Sequence, residues 1–579
     1  MKKILSIFLE FTSLDDVSLE AIHIMENIDG ENNYSIYVRG HNLDTGINAI
    51  NDADKIIGHN IYSHDLVSLR QYYLSSNDIA AVNSLDDKWD CIVDTSIIYP
   101  VLLPNPDKTI NSKIVEYPNS IVERAIKLKD KLDILKSKTD AKNIQIVLHL
   151  QLQLYDALHE IERIIIKSEL FRDNCVEKCL KRDSKFASIL CRLMSDGFHF
   201  DIEGAIALKA RFKSEMKDIN KSLSISFDRQ VNVNNREVLQ NALHNKYPTL
   251  IPQYDKKNNF FILSNIDSLD IDESIEIKRH LLLKRTYDRF FMTKNSYDKC
   301  YVKNTKAIHS TVKVNGTVTG RCTHSAPNIS QVPSTNHALG KECRALFKAR
   351  NNYILYGIDV KSLELSCFAH IATHFGKGSD LNVIFDSDPF CYIQNKLSLK
   401  KRDQAKKVLY ALFYGAGDET LGRIAYPVLS YSNNNDMSKK GRRLRQLINK
   451  EIPVFREVED ELFKRFVGRG FLYSLDGRPL IPLNHRYVFN HLLQSCGAIF
   501  MKQFLIELDS ALSQSLSNIN DYRIVGLFHD EVQIELLKKH ENTIDEYVKS
   551  ALFNTHRILH LRSQFAITIN KGADWSQTH

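Results

Sequence analysis

Two apolar stretches far apart in the chain each run into acids, and this constrains the fold more than any other feature. Tyr353-Ile354-Leu355-Tyr356-Gly357-Ile358-Asp359 reads as a buried strand ending in a carboxylate, and Ser362-Leu363-Glu364-Leu365 begins a helix just after it. Ile524-Val525-Gly526-Leu527-Phe528 is a second apolar strand, which His529-Asp530-Glu531 interrupts before Val532-Gln533-Ile534 continues. A carboxylate in such a place is costly unless it is paired or holds a cation. Either acid alone reads as the cap of a turn. Together, Asp359 and Asp530 are what a site for two divalent cations roughly 3.5 to 4 Å apart needs.

Between these strands lies a helix pattern closed by glycines, running from Lys401 to Gly417. Arg402, Lys406 and Tyr410 recur every four residues, so on an α-helix they form one slanted row of two cations and a ring. At 1.5 Å of rise per residue the row is about 12 Å long, the reach of a nucleoside triphosphate. By itself this is an amphipathic helix with a solvated basic face. Flanked by two acids that can hold metal, it reads as a triphosphate site. Upstream, Thr319-Gly320-Arg321 and then Pro327-Asn328-Ile329-Ser330-Gln331-Val332-Pro333 make a punctuated loop in which Gly320 permits close backbone approach.

A chain of 579 residues exceeds what one core serves, so two to four domains are expected. The 77 Lys+Arg against 70 Asp+Glu leave a net charge of +7, which permits a nucleic-acid partner only where the charge is clustered. Of the ten cysteines only Cys175 and Cys179 lie close, at helical spacing. They read as reduced thiols of a cytoplasmic protein. Met1-Lys2-Lys3 and the apolar residues after it resemble a signal peptide until Glu10 interrupts, so a buried first strand is the expectation. No run is long enough to span a bilayer, and no membrane partner is expected.

The first third alternates strands and helices, which suggests an α/β domain. Ile4 to Phe11 and Tyr34 to Val38 are strand-like, Lys55-Ile56-Ile57-Gly58-His59-Asn60 leads into a helix carrying Asp65 and Leu66, and Cys91-Ile92-Val93-Asp94-Thr95 is another strand end. Helices are expected from about Ile121 onward, with a long helical stretch from about Ile144 to Leu223 broken at Gly197-Phe198-His199-Phe200-Asp201. A hairpin-like piece is expected near Asn258-Asn259.

The set Thr319-Gly320-Arg321, Asp359 to Leu365, Arg402 to Gly417, Asn490 to Gly497 and His529-Asp530-Glu531 resembles the polymerase domain of family A DNA polymerases. Val318-Thr319-Gly320-Arg321-Cys322-Thr323-His324, Tyr414-Gly415-Ala416-Gly417-Asp418-Glu419 and Leu492-Leu493-Gln494-Ser495 are most similar to the T7-type bacteriophage branch, as is the end from Trp575 to His579. The matching motifs span roughly Asn315 to His579 in order. The resemblance implies a multidomain α/β chain. Residues 1–170 would be an RNase H-like, 3′-to-5′ exonuclease-type domain, and residues 171–579 a right-hand polymerase domain. Within it the thumb would span about 180–310, the palm about 311–390 and 485–579, and the fingers about 391–484.

The resemblance also implies roles. Asp359 and Asp530, with the carbonyl of Val360, would hold two Mg²⁺ ions, or Mn²⁺, and Glu531 would be a supporting catalytic acid. Arg402 and Lys406 would meet the phosphates, Tyr410 the base and sugar, and Glu364 would exclude a 2′-hydroxyl. Tyr414 would sit by the templating base, and Arg321, Gln494 and His529 by the primer-template minor groove or primer end. Lys361, Ser366 and Phe390 stand where the family usually carries Ser, Arg and His.

In the amino-terminal domain Glu10 and Asp65 match two of the branch's four exonuclease acids. Phe8 takes the place of a third, Val147 and Gln151 stand where Tyr and the fourth Asp belong, and Asp156 lies more than a turn away. Asp94 matches the branch without being a ligand. Proofreading is therefore expected to be lost. The chain passes through residues 227–235 without room for the thumb insertion that binds thioredoxin, so thioredoxin binding is not expected. Primer-template DNA and dNTPs are the implied partners, with a replicative helicase-primase or ssDNA-binding protein as further candidates. A single-subunit RNA polymerase would share the palm acids, but Glu364 and the Tyr410 to Gly417 pattern favour deoxynucleotides. A non-enzymatic DNA-binding scaffold would need no paired acids.

Overall fold

The computed structural model describes residues 3–11, 19–28, 31–39, 41–76, 78–88, 91–103, 119–135, 141–166, 170–172, 175–251, 271–378, 381, 388–426, 434–482, 487–516, 518 and 520–578. The hairpin expected near Asn258-Asn259 lies outside them.

Among the described residues the amino-terminal part is built on a five-stranded mixed sheet. Its strands are β1 (Ile4–Phe11), β2 (Leu19–Ile28), β3 (Glu31–Val38), β4 (Lys55–Gly58) and β5 (Ile92–Asp94), in the order β3-β2-β1-β4-β5. β1 pairs antiparallel with β2 and parallel with β4. Alternate residues of β1 go to different cores: Ile7 and Leu9 to one, Phe8 to another shared with Val147, Leu148 and Ile161. Helix α1 (Asp65–Ser75) follows β4, and α2 (Ala141–Ile166) packs along the sheet. Asp94 caps the next helix and also accepts from the backbone N–H groups of Asn60 and Tyr62 at 2.8 and 3.2 Å, which fixes the turn after β4.

Helix α3 (Val176–Asp196) stops at Gly197, whose φ of 62° a side chain would strain. After a two-residue strand, Phe198–His199, a long helix runs over Ile202–Ser226, so the break read from sequence is real. Residues 227–235 then lead directly into the helix Arg236–Lys246.

A four-stranded antiparallel sheet forms the centre of the remainder. It contains β6 (Tyr353–Val360), β7 (Tyr522–Phe528), β8 (Glu531–Leu537) and β9 (Ile567–Gly572), in the order β7-β8-β6-β9. Helix α4 (Leu363–His374) leaves the end of β6, α5 (Arg402–Phe413) carries the cationic row, and α6 (Val488–Ser515) packs against α4. The first third thus holds one strand, β2, that the sequence reading passed over. Its Glu20, His23 and Glu26 break the apolar pattern, and only its pairing between β1 and β3 makes it a strand. Among the described residues no helix is long and apolar enough to cross a membrane.

A buried ionic cluster ties α3 to this centre. Asp183 of α3 is fully buried and meets Lys502 Nζ of α6 at 3.0 Å and Arg478 Nη1 at 2.9 Å. Asn315 joins it, donating to Asp183 at 2.9 Å and accepting from Lys502 at 2.6 Å. Burial alone would raise the Asp183 pKa, but the two cations hold it well below the usual carboxylate range. Lys502→Met removes one cation from a buried acid. It is expected to cost about 3 kcal/mol and lower the midpoint of urea unfolding followed by circular dichroism; an unchanged midpoint would contradict the cluster's role.

Candidate active site

Antiparallel pairing brings the two acid-bearing strands together. Asp359 at the end of β6 stands opposite Glu531 at the start of β8, in register with Gly357 opposite Gln533. The turn His529-Asp530 joins β7 to β8, with Phe528 facing Glu531. His529 adopts a left-handed φ of 59°, the kind of backbone outlier that re-aims neighbouring side chains at functional sites. The N–H of Val360 donates to the Asp530 carbonyl at 3.0 Å and pins that turn beside Asp359.

The electrostatic consequence falls on Asp530. Burial, then the charges of Asp359 and Glu364, push its pKa up to about 7. Such a carboxyl is short of positive charge, and a divalent cation relieves that. Two carboxylates supply hard oxygen ligands that suit Mg²⁺ or Mn²⁺. Among the described residues no group of three or more His, Cys, Asp or Glu side chains forms a metal cage. A cation here would complete its shell from backbone, water and substrate oxygens.

Glu531 is committed elsewhere. It is buried and accepts from Trp575 Nε1 at 2.6 Å and from Gln533 Nε2 at 2.5 Å, with Arg344 Nη1 at 3.7 Å. Trp575 stacks on Phe528 with ring centroids 4.4 Å apart, and Thr578 donates to Gln533 at 2.9 Å. Its contacts brace the start of β8 and the turn before it.

Glu364 lies in the first turn of α4, which starts from Ser362 in the left-handed conformation. Its Oε1 accepts from Arg321 Nη2 at 2.9 Å and from the Tyr414 hydroxyl at 3.4 Å. Three residues far apart in sequence therefore meet at one carboxylate. Arg321 reaches it from a loop in which Gly320 takes φ 79°, a conformation that favours glycine. Burial and then the Glu364 and Asp530 charges push the Tyr410 hydroxyl above its ordinary range, so it stays protonated. The Tyr410 and Tyr414 rings lie 6.3 Å apart. Gln494 on α6 bonds Asn490 at 2.8 Å and lies 3.5 Å from the Thr319 hydroxyl. Desolvation and then the Arg321 charge lower the His529 pKa below its ordinary value.

A cleft of about 1020 Å³ opens from Asp359. Lys361, Ser366, Asp388, Phe390, Arg402, Lys406 and Arg562 are among its walls. Arg402 makes a bidentate pair with Asp388 at 2.9 and 2.7 Å and lies over the Phe390 ring at 5.0 Å. Lys406 lies 5.8 Å from the same ring and 5.9 Å from Tyr410. Arg402 and Lys406 of the α5 row thus line the same cleft as Asp359. Sequence reading passed over Arg562, whose only local signal is a basic, structureless loop, and over the Asp388 pair, which joins residues on different helices.

In the amino-terminal sheet the acids are dispersed among other bonds. Glu10 lies 3.4 Å from His23 Nε2. Asp65 is buried and accepts from the Leu9 N–H at 3.1 Å. Phe8 and Val147 are packed in the core, Gln151 is buried and accepts from the Ser6 hydroxyl at 2.6 Å, and Asp156 is exposed.

Comparison with known proteins follows the same division. Residues 203–577 match the family model for DNA polymerase family A. The chain is 28% identical over 305 residues to the DNA-directed DNA polymerase of Enterobacteria phage T3, covering 48% of this chain and 42% of that one. With the Escherichia phage T7 protein of the same description it is 29% identical over 259 residues, 40% of this chain and 36% of that one. The chain therefore spans less than half the length of these phage relatives in the matched region. DNA polymerase I of Helicobacter pylori is 22% identical over 506 residues, 85% of this chain and 53% of that one. The fold is like that of a Mycobacterium smegmatis polymerase domain solved with DNA primer-template and dNTP, at TM-score 0.71 and 15% identity over 100% of this chain and 96% of that one.

The raised pKa of Asp530 has a measurable sign. An acid whose folded pKa lies above its unfolded value lends stability at low pH that is lost as pH rises from about 4 to about 7. In EDTA, Asp530→Asn is expected to melt higher than wild type at pH 8, with the gap closing by pH 4; equal melting temperatures at pH 8 would contradict the like-charge crowding.

Proposed function

This chain belongs to the family A DNA polymerases, and from that premise we propose that it is a template-directed, DNA-dependent DNA polymerase that extends a primer 3′ end with dNTPs and releases pyrophosphate. The observation that carries the reading is the pinning of the Asp530 turn beside Asp359, which lines one cleft together with Arg402 and Lys406.

Asp359, Asp530 and the Val360 carbonyl would hold two divalent ions, Mg²⁺ or Mn²⁺, which when bound activate the primer 3′-hydroxyl and neutralise the phosphate under attack. Burial and the neighbouring acids favour a proton on the Asp530 carboxyl, and holding a cation would require that proton to leave. Arg402 and Lys406 neutralise the β- and γ-phosphates, where charge develops on the leaving group. Arg402 must first exchange the Asp388 carboxylate for phosphate oxygens, so the bidentate pair keeps its fork ordered for that exchange. Tyr410 offers its ring to base and sugar. Glu364, held by Arg321 and Tyr414, crowds the place of a ribose 2′-hydroxyl and selects deoxynucleotides by repulsion. Tyr414 stacks by the templating base, while Gln494, His529 and Arg321 approach the minor groove, whose acceptors depend little on sequence. Glu531 acts through Trp575 and Gln533 by holding the His529-Asp530 turn.

The partners proposed are primer-template DNA and dNTPs, in replication of the viral type within a host cytoplasm, alongside a helicase-primase or ssDNA-binding protein. The short connection at residues 227–235 supports independence from thioredoxin. The strand order of the amino-terminal sheet supports an exonuclease-type ancestry. Its catalytic chemistry is proposed to be lost, because Phe8 and Val147 fill with apolar side chains the space that two metals and their ligands would need.

Primer extension by the purified chain tests both parts. A matched primer is expected to be extended with dNTPs in preference to NTPs, and Asp359→Asn or Asp530→Asn to slow this about a hundredfold or more. A mismatched primer is expected to stay intact with Mg²⁺ or Mn²⁺. Full extension by Asp530→Asn would reject the polymerase reading, and rapid trimming of the mismatch would reject the loss of proofreading.

A further inference from the structure

The cleft beside Asp359 carries more positive charge than the row on α5 explains. Arg402 is already ion-paired with Asp388, and Phe390 gives that wall an apolar ring between Arg402 and Lys406. A triphosphate brings several negative charges and develops more as pyrophosphate leaves. Among the described residues the α5 row therefore offers Lys406 without an ion pair and Arg402, which must break an existing one.

The rest of the cleft lining supplies two others, Lys361 and Arg562. The N–H of Lys361 donates to the Ala566 carbonyl at 2.8 Å, which continues the β6–β9 ladder one residue beyond Val360 paired with Ile567. In extended pairing, residues i and i+2 point to one side, so Lys361 projects alongside Asp359, and both line the cleft. Arg562 lines it too. Its loop is fastened to α4 at two points: the Arg562 N–H donates to His370 Nδ1 at 3.1 Å, and the Ser563 hydroxyl donates to the Ser366 carbonyl at 2.9 Å. Both cations stand on backbone that hydrogen bonds hold fixed, and among the described residues neither makes an ion pair.

We propose that Lys361 and Arg562 are a second pair of phosphate-binding residues, gripping the β- and γ-phosphates of the incoming nucleotide and the departing pyrophosphate from the sheet wall while Arg402 and Lys406 hold them from α5. This rests on the polymerase reading and assigns it two residues that touch substrate. A lysine and an arginine divide the work by chemistry. Lys361 is a point charge on a flexible stem beside the reacting phosphate, and Arg562 offers a fork suited to two oxygens of a terminal phosphate.

The test is a titration that needs no turnover, followed by one that does. Calorimetric binding of inorganic pyrophosphate with Ca²⁺ is compared among wild type, Lys361→Ser, Arg562→Met and Lys361→Arg. Each charge-removing change is expected to weaken binding about tenfold, and Lys361→Arg to retain most of it. Single-turnover extension should then show the same loss in the apparent dNTP dissociation constant, with primer-template affinity and melting temperature near wild type. Pyrophosphate binding within twofold of wild type in both charge-removed variants would overturn the proposal. So would a loss confined to primer-template affinity. A wild-type protein that binds pyrophosphate but extends no primer would count against the polymerase reading and leave this assignment standing.

Discussion

The centre of this molecule depends on fixing two acids, Asp359 and Asp530, on neighbouring backbone where each feels the other's charge. The β6–β8 register and the bond from the Val360 N–H to the Asp530 carbonyl fix the backbone. Burial, and then the neighbouring charges of Asp359 and Glu364, push the Asp530 pKa up to about 7. Crowding of this kind lowers the stability of the cation-free protein in exchange for affinity toward a cation and its substrate.

Two sets of contacts hold that arrangement against its own repulsion. Behind β8, Glu531 is bound by Trp575 and Gln533, and Thr578 closes over Gln533. Gly357 on β6 is required there, because a Cβ would meet the Thr578 carbonyl at 2.0 Å. Beneath the loop bearing Arg321, the Asp183, Lys502 and Arg478 cluster fixes Asn315. That loop in turn delivers Arg321 to Glu364. The acids nearest the reacting centre differ sharply in role as a result. Asp359 lines the cleft with Asp530 on the turn pinned beside it, Glu364 is half-committed to Arg321 and Tyr414, and Glu531 is spent on structure.

Much of this was legible in the sequence wherever a strong local pattern coincides with a single chemical need. The strands ending at Asp359 and Phe528, the row Arg402, Lys406, Tyr410, and the break at Gly197 all have such patterns, and each lies where it was read. What was not legible depends on contacts across long separations. Nothing near Glu364 in sequence announces Arg321 or Tyr414, and nothing near Glu531 announces Trp575. Arg562 sits in a loop with no periodicity, and its place in the cleft exists only because the loop is fastened to α4. β2 escaped because Glu20, His23 and Glu26 put polar residues on both of its faces and erase the alternation, although most of the strand is buried.

The most direct measurement of the central claim is anomalous diffraction from Mn²⁺ in crystals of the protein with primer-template DNA and a non-reactive dNTP analogue. The account predicts two peaks roughly 3.5 to 4 Å apart, both ligated by carboxylate oxygens of Asp359 and Asp530 and one of them also by triphosphate oxygens. A bound nucleotide with no Mn²⁺ at these two carboxylates would contradict it.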